Sequence, residues 1–195
     1  MCPVDHFALI ARFYDRIFTR VNLEQVREWL ALPANRLLDV GGGTGRVSGL
    51  LTEAGTILVV DPSMAMLQAA RVKNGLHLAG AHAERLPFPD GSIDRILVVD
   101  AFHHFCDQGM AAGELLRVLA PGGRLVIEEP NIERWPVKLI ALGERVALMG
   151  SRFYHPDAIR RMFEERGGQV TVFTDDAINM WVIVEKCCGS QWATY

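Results

Sequence analysis

The sequence predicts an α/β domain built on a doubly wound, mostly parallel sheet. Short apolar runs recur along the chain without inward/outward alternation, segments of helical periodicity separate them, and the first run ends in Gly41-Gly42-Gly43-Thr44-Gly45. Strands that are apolar at successive positions need cover on both faces, and helices in right-handed crossovers between parallel strands supply it.

The elements follow in order. Phe7, Ile10, Ala11, Tyr14, Ile17 and Phe18 fall on one helical face and Arg12, Asp15, Arg16 and Thr19 off it, which predicts an amphipathic N-terminal helix. A second helix is predicted over Leu23 to Ala31, with Pro33 stopping it before a first strand at Arg36 to Val40. Further strands are predicted at Thr56 to Val60, Leu76 to Ala79, Ile93 to Val99 and Gly123 to Glu128. Between them, Val47, Leu50, Leu51 and Ala54 predict a helix, as do Leu115, Leu116 and Leu119. Ile132 to Met149 reads as a long, mostly apolar helix, and another runs from Pro156 to a stop at Gly167. Strands at Gln169 to Thr174 and Met180 to Glu185 complete the set. With no repeat or linker, residues 1–195 read as one domain.

Composition narrows the function classes. Half of the 195 residues are hydrophobic and 22% are charged, a globular balance that excludes a disordered or fibrous chain. A net charge of −3 lacks the basic footprint of a nucleic-acid binder, so nucleic acid is not an expected partner. Asp5, Arg12, Asp15 and Arg16 interrupt the apolar N-terminal run, so it reads as neither signal peptide nor span, and a cytoplasmic protein without stable membrane insertion is expected. Cys2, Cys106, Cys187 and Cys188 form no CxxC pair and read as reduced thiols. The histidines lack metal-ligand spacing, so no metal site is expected.

The chemistry is concentrated in two segments. In the first, Leu37-Leu38-Asp39-Val40 runs into the glycine cluster. Glycines let the backbone turn sharply and let a ligand approach to contact distance. In the second, Asp61 ends the run Leu58-Val59-Val60, twenty residues beyond Gly41. A carboxylate there can accept both ribose hydroxyls of an adenosine lying across the strand ends, or instead cap a helix starting near Ser63.

Here the chain resembles the class I methyltransferases, within the broad group similar to the ubiquinone and menaquinone biosynthesis methyltransferases. The matching segments are Phe13-Tyr14-Asp15, the glycine cluster, Asp61 to Leu67, Ala83-Glu84-Arg85-Leu86-Pro87-Phe88, Asp94 to Phe105, and Leu116 to Gly123. The resemblance implies a Rossmann-like, seven-stranded sheet whose last strand is antiparallel, with S-adenosyl-L-methionine as cofactor. It places Asp39, Gly41, Gly42, Gly43 and Gly45 around the methionine part, Asp61 and Pro62 at the ribose, and Met66 against adenine. His82, Ala83 and Glu84 would lie along the adenine edge, and Val98 or Val99 would offer a carbonyl to the amino group. Where the family commonly has aspartate before Ala83, this chain has His82, which either accepts one hydrogen bond from adenine or faces solvent.

His103 and His104 follow the fourth strand, where either could deprotonate a phenol, enol or hydroxyl, or simply pack. Tyr14 is a third candidate, as a substrate-side hydroxyl or a packing residue. The expected partner is a small, apolar or aromatic methyl acceptor. Residues 1–31 would cover the cofactor. The 131–150 segment has apolar residues spread round a helix, which calls for an acceptor under a lid, intramolecular packing, or a second copy of the chain in a homodimer. No Asn-Pro-Pro-Tyr follows the fourth strand, against methylation of exocyclic amines on bases, and Gly49-Leu50-Leu51 is no nucleophile elbow. A nicotinamide dehydrogenase would share the fold, but the spacing Gly41-x-Gly43-x-Gly45 is not GxGxxG. A cofactor-binding partner subunit without turnover shares every motif.

Overall fold

The computed structural model describes residues 21–138, 151–174 and 178–187. Seven strands, β1 (Ala34–Val40), β2 (Ala54–Val60), β3 (Leu76–Ala79), β4 (Ile93–Val99), β5 (Leu119–Pro130), β6 (Gly168–Thr174) and β7 (Asn179–Lys186), form one sheet in the order β3-β2-β1-β4-β5-β7-β6. The first five run parallel, whereas β7 is antiparallel to both β5 and β6. This is the doubly wound sheet that the sequence predicts, with the antiparallel last strand that the resemblance implies.

Four helices are described whole, and each begins for a local reason. In α1 (Leu23–Leu30) the Asn22 side chain accepts the Gln25 amide, and in α2 (Met64–Ala70) Ser63 does the same for Met66. Asp107 caps α3 (Gln108–Val118) by accepting from the Met110 amide. Pro156 opens α4 (Pro156–Glu164), with Gly167 in the left-handed region shortly after its end.

Successive strand residues are buried on opposite faces, which is why the runs lack alternation. Ile96, Val98, Leu125 and Ile127 pack under α3 and α4 with Leu115, Ile159 and Phe163, while Leu37, Leu97 and Val126 pack against Val26 and Leu30 of α1. Truncating Leu97 to alanine would cost about 2–5 kcal/mol. At the sheet's far end Trp29 of α1 stacks on Phe173 and meets Trp181 edge-on.

Two expectations are corrected. The helix predicted from Val47 to Ala54 is a single 3-10 turn, Ser48–Leu50, and Ala54 already belongs to β2. Only 13 residues separate β1 from β2, the glycine cluster uses the first of them in turns, and Val47 and Leu51 go directly into the core beside α1. The thiol expectation fails at Cys106, which is disulfide-bonded, whereas Cys187 is free. Of the long helix predicted at Ile132 to Met149, residues 135–138 are helical, and those from 139 to 150 lie outside the described residues, as do Tyr14 and the rest of the first N-terminal helix.

Candidate cofactor and acceptor site

Because β2 lies on one side of β1 and β4 on the other, connections leave the carboxyl end of β1 in opposite directions and open a crevice there. The glycine cluster occupies it. Gly41 and Gly43 both have positive φ, at 71° and 54°. A Cβ on Gly41 would sit 2.6 Å from the Ala101 Cβ, so only glycine lets this turn lie against the end of β4. The cleft above is lined by Asp39, Gly41, Gly42, Gly43, Arg46, Val47, Met66 and Val99.

Two carboxylates shape this end. Asp61 is buried, its Oδ2 accepting the Gly43 amide at 2.9 Å and its Oδ1 the Ser63 amide at 2.8 Å. It therefore ties the glycine turn to the start of α2. Asp39 is buried as well, and its pKa is pushed up to about 6. Burial is the main cause, the Ser48 hydroxyl opposes it, the Asp61 charge adds to it, and Arg46 opposes it. Such a carboxylate is suited to a cationic ligand group, which would offset its desolvation.

The other expected cofactor residues spread outward. Gly45 is buried behind the cleft, where a Cβ would meet Leu76. Val98 turns its side chain into the core under α3, while Val99 faces the cleft. Pro62 and His82 are exposed, and Ala83 is buried beside Leu86. Glu84 accepts the Asp107 amide at 2.9 Å and so helps anchor the start of α3. The loop carrying these residues is clamped to α3: Glu114 accepts the Leu86 amide, and Arg117 donates to the Leu86 and Phe88 carbonyls.

Beside the cleft, a 3-10 turn at Phe102–His104 follows β4. Glu129, near the carboxyl end of β5, accepts the Phe102 amide through Oε1 at 2.7 Å and meets His103 Nδ1 through Oε2 at 2.6 Å. His103 and Glu129 are both buried, and the imidazole stacks on Phe153 at 4.4 Å. Facing a carboxylate, Nδ1 carries the hydrogen, which leaves Nε2 as the nitrogen that can exchange a proton. His104, 4.0 Å from His103 and 3.1 Å from the Ser151 hydroxyl, has its pKa pushed down to about 3 by burial and by the neighbouring His103 charge. Glu129 escaped the sequence reading, although Ile127-Glu128-Glu129-Pro130 places two carboxylates at the end of an apolar strand, a pattern that signals buried charge. Arg46 and Val47 also line the cleft, and neither residue type directly after a glycine turn points to a ligand from sequence alone.

Among the described residues no group of three or more His, Cys, Asp or Glu is placed to hold a metal, and no helix is long and apolar enough to cross a membrane.

Residues 38–127, which run from within β1 to within β5, match the model of a methyltransferase domain family. The chain is 36% identical over 177 residues to the ubiquinone/menaquinone biosynthesis C-methyltransferase UbiE of Vibrio cholerae, an alignment covering 73% of this chain and 67% of the relative. A demethylmenaquinone methyltransferase of Thermus thermophilus is 41% identical over 102 residues, covering 48% of this chain and 46% of the relative. In fold, the chain superposes with a TM-score of 0.76 on a SAM-dependent methyltransferase of Thermotoga maritima, described as a possible histamine N-methyltransferase, at 23% identity over 92% of this chain and 98% of that one. A buried acid below a glycine turn, a second acid at the next strand end, and this relationship along the chain agree. The chain belongs to the S-adenosylmethionine-dependent methyltransferases, in the group that includes the ubiquinone/menaquinone biosynthesis C-methyltransferases.

Proposed function

We propose that the chain methylates a small, apolar or aromatic acceptor carrying an acidic hydroxyl, such as a phenol or quinol, with His103 as the proton acceptor. The observation that carries this reading is the adjacency of two devices. The Gly41 turn lies against Ala101, within a strand end of the turn bearing His103 and its Glu129 partner. The names of the relatives, a quinone C-methyltransferase and a demethylmenaquinone methyltransferase, agree with an aromatic acceptor.

The residues present fit the family's cofactor. Asp39, its pKa raised by burial, suits the ammonium of the methionine end. Asp61, fixed by two amides, suits the ribose hydroxyls, and Met66 offers an apolar surface for adenine at the cleft wall. When bound, the cofactor supplies a methyl group on a sulfonium whose leaving group is a neutral thioether, so positioning provides much of the acceleration. The chain's own work is then limited. Asp39, Asp61 and the glycine turn fix the donor, while Glu129 holds the His103 ring in one tautomer so that Nε2 can take the hydroxyl proton as the acceptor becomes nucleophilic.

The test is to incubate the full chain with trideuteromethyl-labelled cofactor and a panel of phenols, quinols and aliphatic amines, and to follow products by mass spectrometry. Label appearing in a phenolic or quinol product is expected. Label confined to the amines, or absent from the whole panel while adenosylhomocysteine still binds, would overturn the acceptor assignment.

A further inference from the structure

Arg46 is the first residue after the glycine cluster and lines the cleft together with Asp39. Its side chain is only 13% exposed, and its single polar contact among the described residues is with Asp100 Oδ2 at 3.7 Å, beyond hydrogen-bond reach. A guanidinium carries five N–H donors in a planar fork, and those of Arg46, at the cleft wall beside Asp39, open onto the space a ligand would enter, where they can meet an anion. Asp100 holds a non-glycine φ of 50° at the end of β4, a conformation that the surrounding structure must enforce, and its amide is tied to the Glu128 carbonyl at 3.0 Å. Its carboxylate is thus stationed near the guanidinium without saturating it.

We propose that Arg46 is the receptor for the carboxylate of the cofactor's methionine end, with Asp100 orienting the guanidinium toward it. The methionine end is a zwitterion, and the cleft opposes it with one charge of each sign: the Asp39 carboxylate for the ammonium and the Arg46 guanidinium for the carboxylate. Arginine suits this task because its fork matches a carboxylate through two parallel hydrogen bonds. Arg46 also makes the cleft less negative, since Asp39 and Asp61 would otherwise meet an incoming carboxylate with like charge only. An acidic group on the methyl acceptor is the competing occupant. The two differ in what they predict for ligands that lack an acceptor altogether.

The experiment is calorimetric titration of the full chain with adenosylmethionine, its decarboxylated analogue and 5′-methylthioadenosine, for the wild type, Arg46→Leu and Arg46→Lys. The wild type should bind adenosylmethionine roughly 10- to 100-fold more tightly than the decarboxylated analogue. Arg46→Leu should lose that preference and keep its affinity for methylthioadenosine, whereas Arg46→Lys should restore part of it. Retained affinity for methylthioadenosine also reports that the variant is folded. Wild-type protein that binds adenosylmethionine and the decarboxylated analogue equally would overturn the assignment without any variant. So would an Arg46→Leu protein that loses all three ligands in parallel, or one whose preference is unchanged.

Discussion

The cofactor end and the acceptor end of this site share the carboxyl edge of one sheet but are held together in different ways. At the cofactor end the joining bonds are carboxylate to backbone amide, Asp61 to Gly43 and to Ser63, separated by 18 and 2 residues. At the acceptor end one carboxylate also takes a backbone amide, Glu129 from Phe102, but the other bonds join side chains far apart in sequence, His103 to Glu129 across 26 residues and His104 to Ser151 across 47. Backbone amides are the same whatever the residue, so the first arrangement constrains the chain to glycine and aspartate at set spacings. Side-chain pairs can be exchanged as pairs. One cofactor cradle can therefore persist while the acceptor end is rebuilt for other substrates, and function must be argued from that end rather than from the fold.

The largest effect is expected where the backbone depends on one side chain. Asp61→Ala should leave the Gly43 and Ser63 amides without their acceptor, costing roughly 2–4 kcal/mol of stability by chemical denaturation. Affinity for adenosylhomocysteine should fall about tenfold or more. If the protein loses stability while affinity is unchanged, Asp61 is only a clamp and has no ribose role.

At the acceptor end the expected pattern is reversed. In Glu129→Gln the amide oxygen can still accept from Phe102, but the side-chain NH2 would face His103 Nδ1, favouring the tautomer whose Nε2 carries the hydrogen and cannot act as base. Turnover on an identified acceptor should fall on the order of 100-fold, with adenosylhomocysteine affinity unchanged and with Glu129→Asp recovering part of the rate. Imidazole nitrogen shifts by NMR report the tautomer directly. A variant that keeps its turnover and changes only its stability would place the pair in the core rather than in the chemistry.

The same contrast explains what could be read from the sequence. The strands at Leu76–Ala79 and Ile93–Val99 were legible to the residue, because turn residues bound each run, Gly75 and Gly80 in the first and Gly91-Ser92 and Asp100 in the second. Asp39 and Gly41 to Gly43 were legible as cleft residues because their spacing is set by backbone geometry. Glu129 was not, since its partner lies on another strand's exit turn and only the sheet register brings them together. The helix at Val47 to Ala54 misled because apolar spacing cannot reveal that the connection is too short for more than a turn.

Asp39 links stability and binding with opposite signs. Its folded pKa of about 6 lies above the ordinary aspartate value of 3.8, so the stability this group contributes is fully present below the unfolded value and lost as pH rises through 6, on the order of 3 kcal/mol. Binding an ammonium requires the ionised form, so cofactor affinity should rise up to about tenfold per pH unit below 6 and level off above it. Asp39→Asn should therefore be more stable than the wild type at pH 8, bind adenosylhomocysteine more weakly, and show a flat pH profile. A wild-type profile already flat between pH 5 and 7 would mean that Asp39 does not meet the ammonium.

The smallest effect is expected at the rim. His82 stands where the resemblance expects aspartate, and it is exposed, unlike Asp39 and Asp61. A carboxylate there could accept from the adenine amino group more strongly than a neutral imidazole, but solvent at an exposed position screens the gain. His82→Asp should therefore tighten adenosylhomocysteine binding by no more than about fivefold, leaving stability within about 0.5 kcal/mol of the wild type. The loop that carries it is held by Glu114 and Arg117 of α3. Substituting the clamp tests that reasoning. Arg117→Ala should loosen the loop and weaken adenosylhomocysteine several-fold without touching the ligand, and it should abolish any advantage of His82→Asp in the double variant. Additive effects of the two substitutions would show instead that the rim residue acts without the loop being held, and that the cofactor end extends no further than the buried acids and the glycine turn.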